Sequence, residues 1–417
     1  MNTKDIKIIE PGFYYYQKED FATIKLGFRF NFKPSKKNCL IADLLCDYMN
    51  RCNGKYHTLK EINDKCRDLY AADYAVRSKR TGQKHYIDFN YTMLDHKIIG
   101  DNFFKDAIDF FKEIMFNPLF KDNKLDSKTL AKIKQDMYDD EKEANLEPAE
   151  MQYRYFLKSI IPKSNIVKTN FLNLTELVKV LNEITDEDII NFYYELLKNY
   201  SRGWCFGNLS DEEINYISNT FKFKTSNLQK DYFHLDEIKE GYKEIKDKET
   251  TQSYLYMTYA IKDYKPEEVV LYDAILSMLN SSMTGLVLKV LRQELELVYS
   301  ASADFFTMRG IIYITAKIDK KNKEKCIEGI NEIFRRLHDK KIITKLLKYH
   351  KEKCNEIYIS NKDNISYYLG NFTSYVYENE MEEDEEIKII NSLKVSDILN
   401  AVNRMELKNT FFYRGDK

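Results

Sequence analysis

A strand, helix and hairpin order that occurs twice is the feature that most restricts how this chain can fold. Ile24–Phe32 alternates apolar and polar side chains, as a half-buried strand does, and Tyr254–Ile261 repeats the alternation. Each stretch is followed by apolar residues at helical spacing, at Cys39–Tyr48 in the first half and at Glu268–Leu279 in the second. Because self-similarity of this kind indicates repeated structural units, the sequence predicts two similar domains.

Both halves continue with a β-hairpin and further helices. The expected hairpin strands are Asp73–Arg80 with His85–Leu94, and Val298–Phe306 with Ile311–Ile318, with turns at Gly82 and Gly310. The expected helices run through Phe104 to Met115, Asp126–Glu143, Ile327 to Leu337 and Ile342–Tyr358. The regular order in both halves favours domains in which a sheet is covered by helices.

The two halves also end alike. Thr185 and Ser396 are each expected to cap a helix, and each helix leads to a short strand, at Gly203–Phe206 and Thr410–Tyr413. The predicted fold class is therefore α+β, with two tandem homologous domains that each contain a mainly antiparallel sheet covered by helices. We expect the domains to span residues 1–221 and 251–417, with the charged stretch 222–250 as a linker.

Charge and composition exclude several classes of partner. The chain has 65 Lys and Arg against 66 Asp and Glu among 417 residues, so the bulk positive charge typical of nucleic-acid binding is absent. It contains no run of 18 apolar residues, and its first 16 residues lack the apolar segment of an export signal. Seven scattered cysteines without a CxxC pair are typical of reduced thiols. We therefore expect a cytoplasmic protein with no membrane and no nucleic-acid partner.

One segment of the second half carries a specific motif. Ser281–Ser300 begins with small residues, continues as an amphipathic helix and turns into the hairpin, with Arg292 and Tyr299 seven residues apart. The segment resembles the C-terminal domain of the insulinase/pitrilysin-type zinc peptidases, which include the mitochondrial processing peptidase and carry S-x(n)-L-x(4)-L-R-x(6)-Y. The family's usual Gly three residues before the Tyr is Glu296 here. The resemblance implies a processing-peptidase-like fold over nearly the whole chain.

The resemblance also implies roles for the Arg and the Tyr. A guanidinium can hold the backbone carbonyl of a peptide, and a phenol can donate a hydrogen bond to the oxyanion that forms when the peptide bond is attacked. In the family these are the roles of the residues matched by Arg292 and Tyr299. Without the family context, Arg292 could pair with Glu296 on a solvated helix and Tyr299 could simply begin a strand.

The first half lacks the zinc motif that the family carries there. Catalytic domains of the family have H-x-x-E-H on a helix, and Asp43, Cys46 and Asp47 occupy those three positions here. A third ligand, a Glu, would be expected near Ala131–Lys134, where lysines stand instead. Two carboxylates and a thiol are a poor zinc set, so we expect no metal on this chain, a buried apolar Cys46 and two aspartates on a solvated face.

These absences point to a known arrangement in the family, in which one chain carries H-x-x-E-H and a second carries only the Arg and Tyr. Our first hypothesis is that this chain is the second kind, acting on a peptide or leader peptide while a homologous partner supplies the zinc ion and the general base. A second hypothesis is a catalytically inactive scaffold or peptide-binding member. A third, an independent metallopeptidase, requires stoichiometric zinc on the purified chain.

Overall fold

The computed structural model describes residues 6–81, 84–161, 173–222, 238–281, 285–361, 364–378 and 383–417. The chain forms two compact units, each built on one sheet. The turn expected at Gly82 and the motif residues 282–284 lie outside the described residues.

The first unit contains a six-stranded sheet in the order β1-β2-β6-β3-β5-β4. Its strands are β1 (Ile6–Glu10), β2 (Phe13–Gln17), β3 (Thr23–Phe32), β4 (Asp73–Thr81), β5 (Lys84–Leu94) and β6 (Tyr200–Gly207). All neighbouring strands are antiparallel except β2 and β6, which are parallel. The hairpin predicted at Asp73–Leu94 is confirmed.

Helices of the first half cover one face of this sheet. They are α1 (Lys36–Met49), α2 (Leu59–Asp68), α3 (His96–Ile99), α4 (Phe104–Phe116), α5 (Ser127–Ala144), α7 (Leu174–Glu183), α8 (Asp186–Leu197) and α9 (Asp211–Thr220). The apolar residues of β3, including Phe28 and Phe30, pack with Leu44 and Phe111 in the core of this unit. Thr185 caps α8 as predicted, because its side chain accepts from the Asp188 N–H at 3.2 Å.

The second unit contains a five-stranded sheet in the order β7-β11-β8-β10-β9. Its strands are β7 (Gly241–Asp247), β8 (Ser253–Ile261), β9 (Val298–Phe306), β10 (Ile311–Ile318) and β11 (Met405–Gly415). Only β7 and β11 are parallel. This order matches β2-β6-β3-β5-β4 strand for strand, so the predicted duplicated α+β fold is confirmed.

The second half supplies helices to its own sheet in the same way. They are α10 (Val269–Asn280), α11 (Leu286–Leu288), α12 (Lys323–Leu337), α13 (Lys340–Ser360), α15 (Glu383–Ser392) and α16 (Val395–Val402). The cap expected at Ser396 is wrong, because Lys394 holds the N-cap position. Its N–H donates to the Asp397 side chain at 2.8 Å, which places the capping carboxylate three residues inside the helix.

Each unit also includes one helix from the other half of the sequence. Helix α6 (Pro148–Ile160) belongs to the second unit, where the Phe156 ring stacks on Tyr256 at 3.9 Å between centroids. Helix α14 (Ile365–Glu378) belongs to the first unit, where Phe372 packs against Trp204. The boundaries at residues 221 and 251 stay a prediction.

Part of the stretch expected as a linker is a strand. Gly241–Asp247 is β7, which pairs in parallel with β11 from Asn409 to Gly415. Four charged residues among seven hide this strand in the sequence, and most of its side chains are exposed. No helix within the described ranges is long and apolar enough to cross a membrane.

Candidate functional site

Arg292 lies in a π-helical segment in the middle of the motif. Helix α11 continues into a π-helix at Lys289–Glu294, and the Leu295 N–H donates to the Val290 carbonyl five residues earlier, at 3.1 Å. Val290 and Leu291 are buried, whereas Arg292 is exposed. π-Helical turns are rare and occur mostly at functional sites, because they rotate side chains out of the ordinary helical register.

The guanidinium of Arg292 has no partner among the residues that the structure describes. The alternative ion pair with Glu296 does not form. The neighbouring Glu294 instead makes a two-pronged ion pair with Arg336, at 2.9 and 2.7 Å, and these bonds lower the pKa of Glu294. Arg292 is therefore an exposed cation that is available to a ligand. The nearby Glu294 is held in place by Arg336.

Glu296 makes the turn at the position where the family has glycine. Its φ angle is +51°, in the left-handed region that favours glycine. Because a glutamate stands there, the sequence alone does not predict the backbone conformation of this turn. The chain adopts the left-handed turn nevertheless, and the strain falls on Glu296.

Tyr299 is the extra residue of a β-bulge at the start of β9. Ser300 lies opposite Lys317 and Val298 lies opposite Ile318, so Tyr299 has no residue across from it. Its side chain is 54% exposed. Bulges re-aim side chains and are common next to active sites, so the local backbone gives Tyr299 a direction that a regular strand would not.

The Tyr299 hydroxyl donates to Asp319, a residue that the motif did not identify. The oxygens are 2.8 Å apart, and this bond together with the carboxylate charge raises the pKa of Tyr299. The phenol therefore stays protonated at neutral pH, and it can donate to a ligand only by exchanging Asp319 for that ligand as acceptor. Asp319 directly follows β10, and only the antiparallel pairing of β9 with β10 brings it near Tyr299.

The segment that carries Arg292 and Tyr299 is braced from α12. A Cβ on Gly329 of this helix would lie 2.6 Å from Leu291 and 3.0 Å from Leu295, so α12 approaches the segment as closely as glycine permits. Arg336 on the same helix holds Glu294. The backbone around Arg292 is thereby fixed, as the positioning of a substrate requires.

The three positions that match the zinc motif lie on α1, and they are less exposed to solvent than the sequence predicts for the two aspartates. Asp43 is half-buried and forms an ion pair with Arg80 of β4 at 3.0 Å, although burial raises the pKa of its carboxyl. Burial also raises the pKa of Asp47 and places the pKa of the Cys46 thiol well above its usual value. The expectation of a buried Cys46 is confirmed, whereas Asp43 and Asp47 are only partly exposed and do not lie on the fully solvated face that was expected.

These three side chains do not fit a zinc ion. Cys46 stays a thiol rather than the thiolate that binds metal, and a guanidinium already neutralises Asp43. At the position of the expected third ligand, Lys134 donates to the carbonyls of Leu181 and Ile184 at 2.8 and 3.1 Å. Within the described ranges, no group of three or more His, Cys, Asp or Glu side chains could hold a metal ion.

Comparison with known proteins gives one family match and several structural matches. No curated protein matches the sequence. Residues 183–354, which contain both Arg292 and Tyr299, match the family model described as the peptidase M16 inactive domain.

Solved structures match the fold along the whole chain. A conserved protein from Enterococcus faecalis has a TM-score of 0.81 and 19% identity, with 99% of each chain covered. A peptidase M16 inactive domain from Pseudomonas fluorescens gives a TM-score of 0.74 at 14% identity, covering 97% of this chain and 95% of that one. A protease from Helicobacter pylori gives 0.72 at 14% identity, with 98% of each chain covered.

The solved structures are too distant in sequence to indicate more than a shared architecture. The match to the family model adds a likeness in sequence to a described peptidase family. It overlaps the segment from which the resemblance was inferred. Residues 183–354 of this chain match the M16 inactive-domain model, and the chain's resemblance to the insulinase-type peptidases is confirmed.

Proposed function

We propose that this chain is the zinc-free subunit of a two-chain zinc peptidase. Arg292 binds a backbone carbonyl of the peptide substrate, and Tyr299 donates a hydrogen bond to the oxyanion that forms on the attacked carbonyl. A homologous partner with H-x-x-E-H supplies the zinc ion and the general base. The substrate is a peptide or leader peptide, because peptides are the substrate class of this peptidase family.

The observation that carries the proposal is the state of Arg292. An exposed guanidinium without a described partner stands on a braced π-helical turn, and a protonated phenol follows at a bulge seven residues later. π-Helical turns are frequent at functional sites, and this one carries an arginine without a described partner. Arg292 offers N–H donors, and Tyr299 can offer its O–H by exchanging Asp319 for the ligand; both suit a peptide carbonyl, which has only acceptor groups to offer.

The alternative is a scaffold or peptide-binding member without a catalytic task. The hydrogen bond from Tyr299 to Asp319 favours it, because this bond gives the phenol a structural partner within the chain. The two proposals differ in a direct way. A scaffold yields no peptidase activity in any mixture, and chelation of metal leaves its function unchanged.

The test pairs the chain with an H-x-x-E-H homologue and follows cleavage of a peptide. We expect the mixture to cleave and each chain alone to be inactive. Replacement of Arg292 by Ala should reduce turnover about 100-fold, as loss of one oxyanion-type contact does. Arg335→Ala is the matched control, since Arg335 is an exposed arginine whose ion pair is with Glu332 of the same helix.

Tyr299→Phe tests the second donor and should also reduce turnover about 100-fold. Tyr242→Phe is its control, because Tyr242 lies on the opposite edge strand of the same sheet, is 52% exposed and donates its hydroxyl to Glu244. Turnover that is equal in Tyr299→Phe and Tyr242→Phe would remove the phenol from the mechanism.

A further inference from the structure

Strand β7 holds an outer position that a further strand covers in the first unit. In the first sheet β2 has the corresponding place, and β1 pairs with its outer side in antiparallel orientation. In the second sheet β7 is the end strand, and within the described ranges no strand pairs with its outer side. An exposed edge of this kind is a template for a further strand, and charged side chains decide which strands it admits.

The backbone groups of every second residue of β7 point away from the sheet. The Asp416 N–H, just after β11, donates to the Asp247 carbonyl at 2.7 Å, so the backbone of Asp247 faces β11. Because this direction alternates along a strand, the backbone of Ile245 also faces β11, whereas Glu244 and Lys246 point outward. A strand added at this edge would therefore exchange hydrogen bonds with Glu244 and Lys246.

The side chains of β7 are complementary to a reversed copy of the same strand. The sequence from Lys243 to Asp247 reads Lys-Glu-Ile-Lys-Asp, with Ile245 in the middle. When two antiparallel copies are centred on Ile245, Glu244 lies opposite Lys246. In the same register Lys243 lies opposite Asp247. Every charged residue of this stretch then faces an opposite charge, and such cross-strand pairs stabilise a sheet.

Other symmetric registers lack this complementarity. In a two-fold antiparallel pair, opposed residues share a face of the sheet, so the axis passes beside one residue of each copy. Centring the pair on Lys243 or Lys246 puts two ammonium groups opposite each other. Centring it on Glu244 or Asp247 does the same with two carboxylates. Among these five residues only Ile245 places an uncharged side chain on the axis, so the charges oppose four registers and favour one.

The charged side chains of β7 are accessible to such a partner. Lys243 and Lys246 are exposed, and neither makes an ion pair within the described part of the chain. Glu244 accepts from the Tyr242 hydroxyl and forms an ion pair with Arg414 of β11 at 3.7 Å. A carboxylate has about four acceptor positions, so Glu244 can take a further cation from a second copy.

We propose that two copies of this chain join through β7, antiparallel about Ile245, so that their second sheets form one continuous sheet. The contact gives β7 the kind of antiparallel partner that β1 gives to β2 in the first unit. Two short strands bury little surface, so the dimer is weak and its population depends on protein concentration. The contact lies at the opposite edge of the sheet from β9 and does not depend on the proposed peptidase role.

Single charge reversals test the register. In Lys246→Glu two glutamates face each other at both symmetric pairs of the dimer, and in Glu244→Lys two lysines do. Sedimentation velocity over a range of concentrations should show that each variant dimerises about tenfold or more weakly than the wild type. Lys345→Glu is the matched control and should dimerise like the wild type, since Lys345 is an exposed lysine of α13 to which the described residues offer no ion pair.

A mixture of the two variants separates the register from effects on folding. The Lys246→Glu chain carries glutamates at both positions and the Glu244→Lys chain carries lysines at both, so their heterodimer has opposite charges at both pairs. The mixture should dimerise about as tightly as the wild type, although neither variant does so alone. A wild-type chain that stays monomeric at every concentration, or a mixture that dimerises no better than the single variants, would overturn the proposal.

Amide hydrogen exchange locates the contact on the strand. Raising the wild-type concentration should slow exchange about fivefold or more at Glu244 and Lys246, whose amides gain a hydrogen bond, and leave Ile245 unchanged. Equal protection of Glu244 in the dilute monomer would mean that the edge is already covered, and it would overturn the proposal. These measurements use neither a partner chain nor a peptide, so they are decided separately from the peptidase activity.

Discussion

At the scale of single residues, the motif predicts roles for Arg292 and Tyr299 but not how these side chains are held. Arg292 and Tyr299 stand at a spacing that the sequence shows directly. Asp319 and Arg336, which orient the segment, come from later elements and meet it only through tertiary contacts. The same holds for the Asp43–Arg80 ion pair, which no local pattern indicates.

Glu296 carries a strain that a substitution can relieve. Its φ of +51° costs about 1–2 kcal/mol for a residue with a Cβ. A glycine at this position would remove that cost, but it would also make the unfolded chain more flexible, which offsets part of the gain in stability. Glu296→Gly should therefore raise the free energy of unfolding by about 0.5–1 kcal/mol, measured by denaturant titration. Gln293→Gly, in the neighbouring π-helix, should lower it by about 1 kcal/mol. A loss of stability in Glu296→Gly would contradict this account of the turn.

At the scale of elements, alternation and helical spacing predicted the strands and helices well where one face is buried. The bounds of β9 and β10 were predicted residue for residue, and the turn through Gly310 separates the two strands. Strand β7 was missed because its side chains are mostly charged and exposed. The packing of α14 on the first sheet was beyond prediction, since its partners lie more than 170 residues away in the chain.

Trp204, the only tryptophan in the chain, reports on that packing. Its indole N–H donates to the Tyr377 hydroxyl of α14 at 2.8 Å, and Trp204 is buried. Tyr377→Phe leaves this N–H buried without its partner, so it should reduce the free energy of unfolding by about 1–3 kcal/mol and change the tryptophan fluorescence. Fluorescence and stability equal to those of the wild type would contradict the bond.

Gly27 of β3 allows the Trp204 ring to lie against the sheet. A Cβ at this position would be 2.4 Å from the ring, so Gly27→Ala should destabilise the chain by about 1–3 kcal/mol and shift the tryptophan emission. The control is Gly370→Ala in α14, where a Cβ meets nothing within 4 Å and the helix should gain up to about 1 kcal/mol. Equal effects of the two substitutions would contradict the close approach.

At the scale of the whole molecule, two buried histidines make stability depend on pH. Burial lowers the pKa of His85 and of His350 to about 4, helped by Arg80 in one case and by Lys353 and Lys351 in the other. Between pH 4 and about 6.5 the unfolded chain binds more protons at these sites than the folded chain, so their contribution to stability falls as the pH falls.

Replacing both histidines by Gln should make stability less dependent on pH between 6.5 and 4. The measurement is the free energy of unfolding of both proteins across this window, and the difference between them isolates the histidines from carboxyls such as Asp273. Burial raises the pKa of Asp273 to about 6, which acts in the opposite direction. Parallel curves for the wild type and the variant would show that the histidines do not titrate on unfolding.

The central claim is that this chain completes a zinc site that another molecule carries. The most direct measurement titrates the purified chain into a fixed amount of an H-x-x-E-H partner and records the rate of peptide cleavage. The account predicts no cleavage by either chain alone, a rate that rises until the two are equimolar, and a plateau about 100-fold lower when the titrated chain carries Arg292→Ala. Full activity of the partner by itself, or zinc bound stoichiometrically to this chain, would contradict it.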